Sequence, residues 1–422
     1  MNEIERSYFS LSIFKEIVPI VILSLSIFYA CFIGNGIMTM VLTSIICLFL
    51  LFCRNEVLVP SMLYFCSFAL MFQAGSYMLY EFLCIVFMCR VFITEKFVRS
   101  FLLFWFVIYF ITHIISSSVT VVNIIPILYI ITLIFACVSY NDQYDNCVVM
   151  YLLGVFVSSL LGFLKPLSSH LIELLSEDFV EGMNVDFIVR FSGLSYDPNF
   201  YTICVIISIM LLLFSRYKNT WLALLLASVY ICLGMITYSK SYILSIVVIF
   251  LLYFLDGREN VSKKVFFFLA LGYLVSASFF DEIVFVFKER FTESSNFNEL
   301  TTGRDELWIL YCEQIADSFE TLFFGHGIST LLGDKAAHNT FIQILFSFGI
   351  LGFIVDFLYI KKCFSILNYQ GITMIQIGMI AVIFMLLFNL SAYTFPSLWM
   401  CLFMFFILIS KQSVDYYDDA SA

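Results

Sequence analysis

The chain has 422 residues, of which 62% are hydrophobic and 12% charged, with 51 Phe, 24 Tyr and a net charge of −10. A charged fraction about half that of an average soluble domain excludes an ordinary globular protein and points to an integral membrane protein. With 21 basic against 31 acidic residues there is no basic surface for a phosphate backbone, and six prolines argue against a disordered chain, so no nucleic-acid partner is expected.

A spanning helix needs roughly 17–25 apolar residues. Runs of this kind fall near 17–34, 36–53, 57–73, 76–93, 99–116, 121–139, 147–164, 198–215, 220–237, 241–255, 264–280, 337–360, 372–390 and 396–410. They predict an all-α polytopic membrane protein with about 14 transmembrane helices, a single integral membrane domain over residues 1–422. The first run, Ile17 to Gly34, is longer than a signal-peptide core and lacks a small-residue cleavage site, so it is expected to stay as the first helix. Most of the 13 cysteines lie inside apolar runs and no CxxC pair occurs. They read as small hydrophobes rather than as a zinc or redox site.

With the N-terminus in the cytoplasm, the inner segments collect Arg6, Lys15, Arg54, Arg90, Lys96, Arg99, Arg216, Lys218, Arg258, Lys263, Lys264, Lys361, Lys362 and Lys411. Short outer turns hold almost no cation except Lys240, the asymmetry that the positive-inside rule expects. The C-terminus is then cytoplasmic, and two long loops, residues 165–197 and 281–336, share the external face.

In the first loop, Arg190 precedes Phe191-Ser192-Gly193 and Asp197-Pro198-Asn199. Asp197 and Pro198 read as an N-cap acceptor and a first-turn proline. A cap needs no cation, so Arg190 either pairs with Asp186 or Asp197 or awaits an anion. The acids Glu173, Glu177, Asp178, Glu181 and Asp186 match no cation-binding spacing and read as a solvated face. Lys240, in Thr237-Tyr238-Ser239-Lys240-Ser241, sits where two helices meet with almost no loop; a snorkelling lysine and an anion contact both fit.

The second loop holds Gly303-Arg304, then Leu307, Trp308, Tyr311, Ile315 and Phe319 at spacings that predict one helical stripe. Thr302 and Asp305 resemble a capping pair, which puts Arg304 in a first turn, where the helix dipole disfavours a cation. The guanidinium there pairs with an acid such as Glu306 or is kept for an anion. Two of the four histidines follow, His326 between Gly325 and Gly327, and His338 beside Asn339 at the start of the next apolar run. Histidine suits proton transfer near neutral pH, while His326 also reads as a turn residue and His338 as a helix-start residue.

The order and sidedness of Arg190-Phe191-Ser192-Gly193, Asp197-Pro198-Asn199, Ser239-Lys240-Ser241, Gly303-Arg304 with Trp308, Gly325-His326-Gly327 and His338-Asn339 resemble the O-antigen polymerase and ligase superfamily of bacterial envelopes. That resemblance implies glycan transfer from an undecaprenyl-diphosphate carrier to an acceptor hydroxyl at the outer face of the bacterial inner membrane, without a cofactor, metal or nucleotide sugar. It assigns Arg190 and Arg304 to the diphosphate and His338 to deprotonating or orienting the acceptor. Lys240, Asp197, Asn199, His326 and Asn339 are its substrate-binding positions. Many members carry an arginine where Lys240 stands, so a point-charge contact is expected there. The expected partners are the lipid-linked oligosaccharide, a chain-length regulator and a flippase. The wealth of Phe and Tyr with little charge favours a polymerase over a ligase acting on lipid A core. A transporter would line a path with polar groups, and the apolar runs hold chiefly Glu81 and Asp356.

Overall fold

A chain this apolar must satisfy its backbone N–H and C=O groups within each segment, and the helix is the conformation that does so locally. The computed structural model describes residues 3–74, 77–94, 128–140, 143–171, 190–195, 197–215, 220–257, 260–273, 304–327, 331–332, 335–367, 369, 371–390 and 395–421. Among them the regular structure is helical, apart from a two-residue antiparallel ladder pairing Gln73–Ala74 with Tyr77–Met78. Helix bounds follow the apolar runs closely, as in Gly36–Phe52, Pro198–Phe214, Thr220–Met235 and Lys240–Leu255. The predicted run at 99–116 lies outside the described residues, as do Thr302, Gly303 and the acids from Glu173 to Asp186.

Tyr144–Leu167 and Thr340–Ile366 are long and apolar enough to cross a membrane unaided, and the shorter apolar helices include Gly36–Phe52, Pro198–Phe214, Thr220–Met235, Lys240–Leu255 and Met374–Leu387. Leu225, Leu251 and Phe357 are exposed on their helix flanks, a pattern that hydrocarbon accommodates and water does not.

The chain forms two compact units. One comprises Met1–Leu102, Leu128–Cys204 and Phe395–Ile407; the other comprises Leu103–Ile127, Val205–Thr394 and Leu408–Ala422. In the first, Asn55–Phe65 packs on Tyr144–Gly162 with the backbones in contact: a Cβ at Gly154 would lie 2.3 Å from the Tyr64 carbonyl oxygen. The Arg90 guanidinium closes the C-terminal end of Gly36–Phe52 by donating to the carbonyls of Leu51 and Cys53, the latter at 3.0 Å. The buried thiols of Cys66, Cys204 and Cys401 stay reduced, with Cys401 3.4 Å from Cys204 and 3.5 Å from Cys66. They pack as small polarisable groups.

In the second unit, buried Lys264 closes the end of Lys240–Leu255, donating to the carbonyls of Phe254 at 3.2 Å and of Asp256, where the helix dipole favours a cation. The run predicted at 337–360 forms the helix Thr340–Ile366, with a break at Gly349, whose φ of 64° and ψ of −170° are not helical. No proline is involved; glycine alone tolerates this geometry. Beside the break the carbonyls of Phe346 and Ser347 accept from the amides of His326 at 2.7 Å and Gly327 at 2.9 Å. The Gly325-His326-Gly327 strap therefore supplies backbone partners to the broken helix.

The stripe expected from Leu307 to Phe319 forms only in part. Tyr311 and Ile315 are buried with Ala337 and Phe346, flanked by Leu307 and Ile342, while Phe319 is 74% exposed. The helix stops at Ala316, and Ser318 caps a separate helix, Phe319–Phe324, by a reciprocal bond with Thr321 that rotates Phe319 off the stripe.

Candidate functional site

In the first unit Arg190 stands at the head of a segment pressed onto the end of Tyr144–Gly162. A Cβ at Gly162 would lie 2.6 Å from the Gly193 Cα, and one at Gly193, where φ is +57°, would lie 2.8 Å from the Tyr201 ring. Only glycine fits either place. The rings of Phe163 and Phe191 stack at 4.6 Å, and the Leu194 amide donates to the Ser158 hydroxyl at 3.4 Å. Asp197 acts as the predicted cap: its Oδ1 accepts from the Asn199 amide at 2.6 Å, and Pro198 opens the helix Pro198–Phe214. The Asn199 side chain in turn accepts from Arg190 Nη2 at 3.4 Å. Cap, amide and guanidinium thus form one chain of contacts. Lys165, just past the helix end, donates to the Ser192 hydroxyl at 3.1 Å and so joins the segment; in the sequence it stood out only as a loop boundary.

In the second unit Arg304 is the first residue of the helix Arg304–Ala316, as the sequence predicts. Its Nη1 donates to Asn389 Oδ1 at 3.0 Å, and Asn389 is oriented by donating its own amide to the Met385 carbonyl at 3.1 Å. One turn along, Trp308 Nε1 donates to the Ala337 carbonyl at 2.8 Å, and Ala337 N donates to Gln343 Oε1 at 3.0 Å. Next comes His338, exposed and with a φ of 48°, a backbone that a residue with a Cβ seldom adopts. Asn339 is buried and caps Thr340–Ile366, accepting from Phe341 N at 3.0 Å and Ile342 N at 3.2 Å. Thr340 Oγ1 donates to the Leu390 carbonyl at 2.6 Å, adjacent to Asn389.

These bonds close a ring from Arg304 through Asn389 and Leu390 to Thr340, and back through Ala337 to Trp308. Arg304 and His338 are thereby brought to one neighbourhood, a cation at a helix N-terminus beside an exposed imidazole on a strained turn. The guanidinium shares this first turn with Asp305 and Glu306, so the helix start carries both a cation and acids. Beside them a groove of about 610 Å³ is lined by Asp305, Trp308, Ile309, Cys312, Glu313 and Ile342. Tyr311 buttresses the loop, donating to the Lys335 carbonyl at 2.5 Å and accepting from Leu332 N at 3.1 Å. Burial pushes its phenol up, so it stays a neutral donor.

His326 and Lys240 are held by contacts of their own in this unit. The His326 ring stacks on Phe346 at 4.4 Å, with Nε2 3.2 Å from the Gln314 carbonyl oxygen. Lys240 begins its helix after a turn in which Tyr238 has a φ of 48° and the hydroxyls of Ser239 and Ser241 lie 2.8 Å apart. Asn389 and Trp308 are the positioning residues that sequence reasoning did not assign. A polar residue closing the apolar run at 372–390 was the one available signal for Asn389.

No curated protein and no solved structure matches the chain. Residues 222–356, about a third of it, match the family model described as O-Antigen ligase, a stretch that contains Lys240, Arg304, His326, His338 and Asn339. The segment 222–356 is thus similar to the O-antigen ligase family, which supports the resemblance of this helical chain to the O-antigen polymerase and ligase superfamily.

Proposed function

We propose that the protein is a surface-polysaccharide polymerase that joins lipid-linked oligosaccharide repeats, with undecaprenyl diphosphate as the carrier. The observation that supports this most directly is the bonded ring that holds Arg304 near His338, both of them residues of the family-matched segment. The acceptor hydroxyl oxygen attacks the anomeric carbon of the donor sugar, the bond from that carbon to the phosphate oxygen breaks, and the carrier diphosphate leaves with the electron pair. His338 takes the hydroxyl proton, while Arg190 and Arg304 neutralise the diphosphate. The leaving group is already a stabilised anion, so positioning, charge neutralisation and one base suffice, and no metal is called for. Lys240, Asp197, Asn199, His326 and Asn339 complete the substrate-binding set.

In this reading residues 1–422 form one membrane domain with about 14 spans in a bacterial inner membrane. Both termini are cytoplasmic and the loops 165–197 and 281–336 external, with a chain-length regulator and a flippase as partners. The family match equally admits a ligase that moves glycan onto lipid A core. The surface polysaccharide of a deletion strain separates the two. A single repeat unit on the core, restored to a ladder by the wild-type gene, is the expected result; a bare core with lipid-linked polymer accumulating would identify a ligase, and an unchanged ladder would exclude glycan transfer.

Trp308 tests how His338 is held. Trp308→Phe keeps the ring's packing but removes the donor to Ala337, so stability should fall by only about 1 kcal/mol. Transfer from a lipid-linked donor should slow by about tenfold through misplacement of His338. Equal rates for the two proteins would show that the bond is structural only.

A further inference from the structure

The Arg190 segment carries a second cation that no family motif assigns. Lys165 occupies the short 3-10 turn Lys165–Leu167 that follows Tyr144–Gly162, and its ammonium is half-buried. Its hydrogen-bond partner is the Ser192 hydroxyl at 3.1 Å, and among the described residues no carboxylate pairs with it. A hydroxyl gives an ammonium one neutral acceptor, leaving two N–H groups and the charge itself uncompensated among the described residues. In an apolar protein such a charge is retained where an anion meets it.

Ser192 lies two residues beyond Arg190, within about 7 Å along the backbone, a span comparable to the length of a diphosphate. The placement is rigid: the Gly162–Gly193 approach, the stacking of Phe163 on Phe191 and the Leu194–Ser158 bond fix the segment on the helix end that bears Lys165. We propose that Lys165 and Arg190, flanking the Ser192 hydroxyl, bind a single diphosphate group together, Arg190 through its planar fork and Lys165 as a point charge. This rests on the reading of the protein as a user of a diphosphate-linked lipid, and it adds a binding residue to that site. The ammonium and the guanidinium meet oxygens of that diphosphate alongside Arg304, and the Ser192 hydroxyl donates to an oxygen between them.

The test uses the full-length protein in nanodiscs, with radiolabelled undecaprenyl diphosphate and undecaprenol as probes. Wild type should prefer the diphosphate lipid. Lys165→Met should weaken binding of that lipid by about tenfold and leave undecaprenol binding unchanged, and Lys165→Arg should stay within about threefold of wild type. Equal losses for both lipids in Lys165→Met would mark a packing role and overturn the assignment. Undiminished preference in Lys165→Met, with preference lost in Arg190→Ala, would remove Lys165 from the site while sparing the functional reading. A wild-type protein that does not distinguish the two lipids would remove both.

Discussion

Arg304→Ala should reduce glycan transfer by about 10²–10³-fold, the usual cost of removing a preorganised group that meets developing charge. His338→Ala should cost about 10²–10⁴-fold, the range for a lost general base. Both side chains stand on elements held by other residues: Trp308 and Tyr311 secure the helix of Arg304, and Asn339 caps the helix that follows His338. The folded state should therefore survive either truncation, with thermal unfolding in detergent close to wild type. Arg304→Lys discriminates further, since it keeps the charge but loses the planar fork; activity between that of wild type and Arg304→Ala is expected. The measurement is initial rate with purified protein and a synthetic lipid-linked donor. Wild-type rates in both alanine variants would end the assignment of this neighbourhood as the active site.

Gly349→Ala should be among the most destabilising single changes in the second unit. A Cβ at Gly349 would sit 2.4 Å from the Phe323 carbonyl carbon and oxygen, backbone atoms that cannot move aside without shifting the Phe319–Phe324 helix. The positive φ adds strain of about 1–3 kcal/mol and overpacking about 1–3 more, for an expected loss of about 2–6 kcal/mol. Gly325→Ala meets the same joint from the other side, 2.5 Å from Ser347 C and Phe348 N. Because both residues serve one interface, the double variant should lose less than the sum of the two. Gly272, where a Cβ meets nothing within 4 Å, is the control: Gly272→Ala should be neutral or stabilise by up to about 1 kcal/mol. Equal unfolding temperatures for Gly349→Ala and Gly272→Ala would show that the kink is not a packed joint. Activity should fall along with stability in Gly349→Ala, since Thr340 and Asn339 stand at the head of the same kinked helix.

The apolar runs carried the helices because the constraint is local: a segment without water must bond its own backbone, and its length and breakers are written in consecutive residues. Asp197 with Pro198, Asn339 before Thr340 and the tight turn before Lys240 were legible for the same reason, since caps and turns reach only a few positions along the chain. Phe319 fell off its predicted stripe through another local device, the Ser318 and Thr321 capping box, which outweighed helical spacing. The break at Gly349 was not legible, because a glycine inside an apolar run reads equally as a tolerated helical residue until the strap from Gly325 to Gly327 is seen to bond beside it.

What the sequence by itself determined is the class of molecule, the placement of its helices and the short list of polar residues that an apolar chain retains. The tertiary structure alone decided which of them act together. Arg304 meets Asn389 across 85 positions, Trp308 meets Ala337 across 29 and Lys165 meets Ser192 across 27. No periodicity encodes such pairings; they follow from which helix faces pack, and that is fixed by the summed contacts of the whole unit rather than by any one stretch of chain.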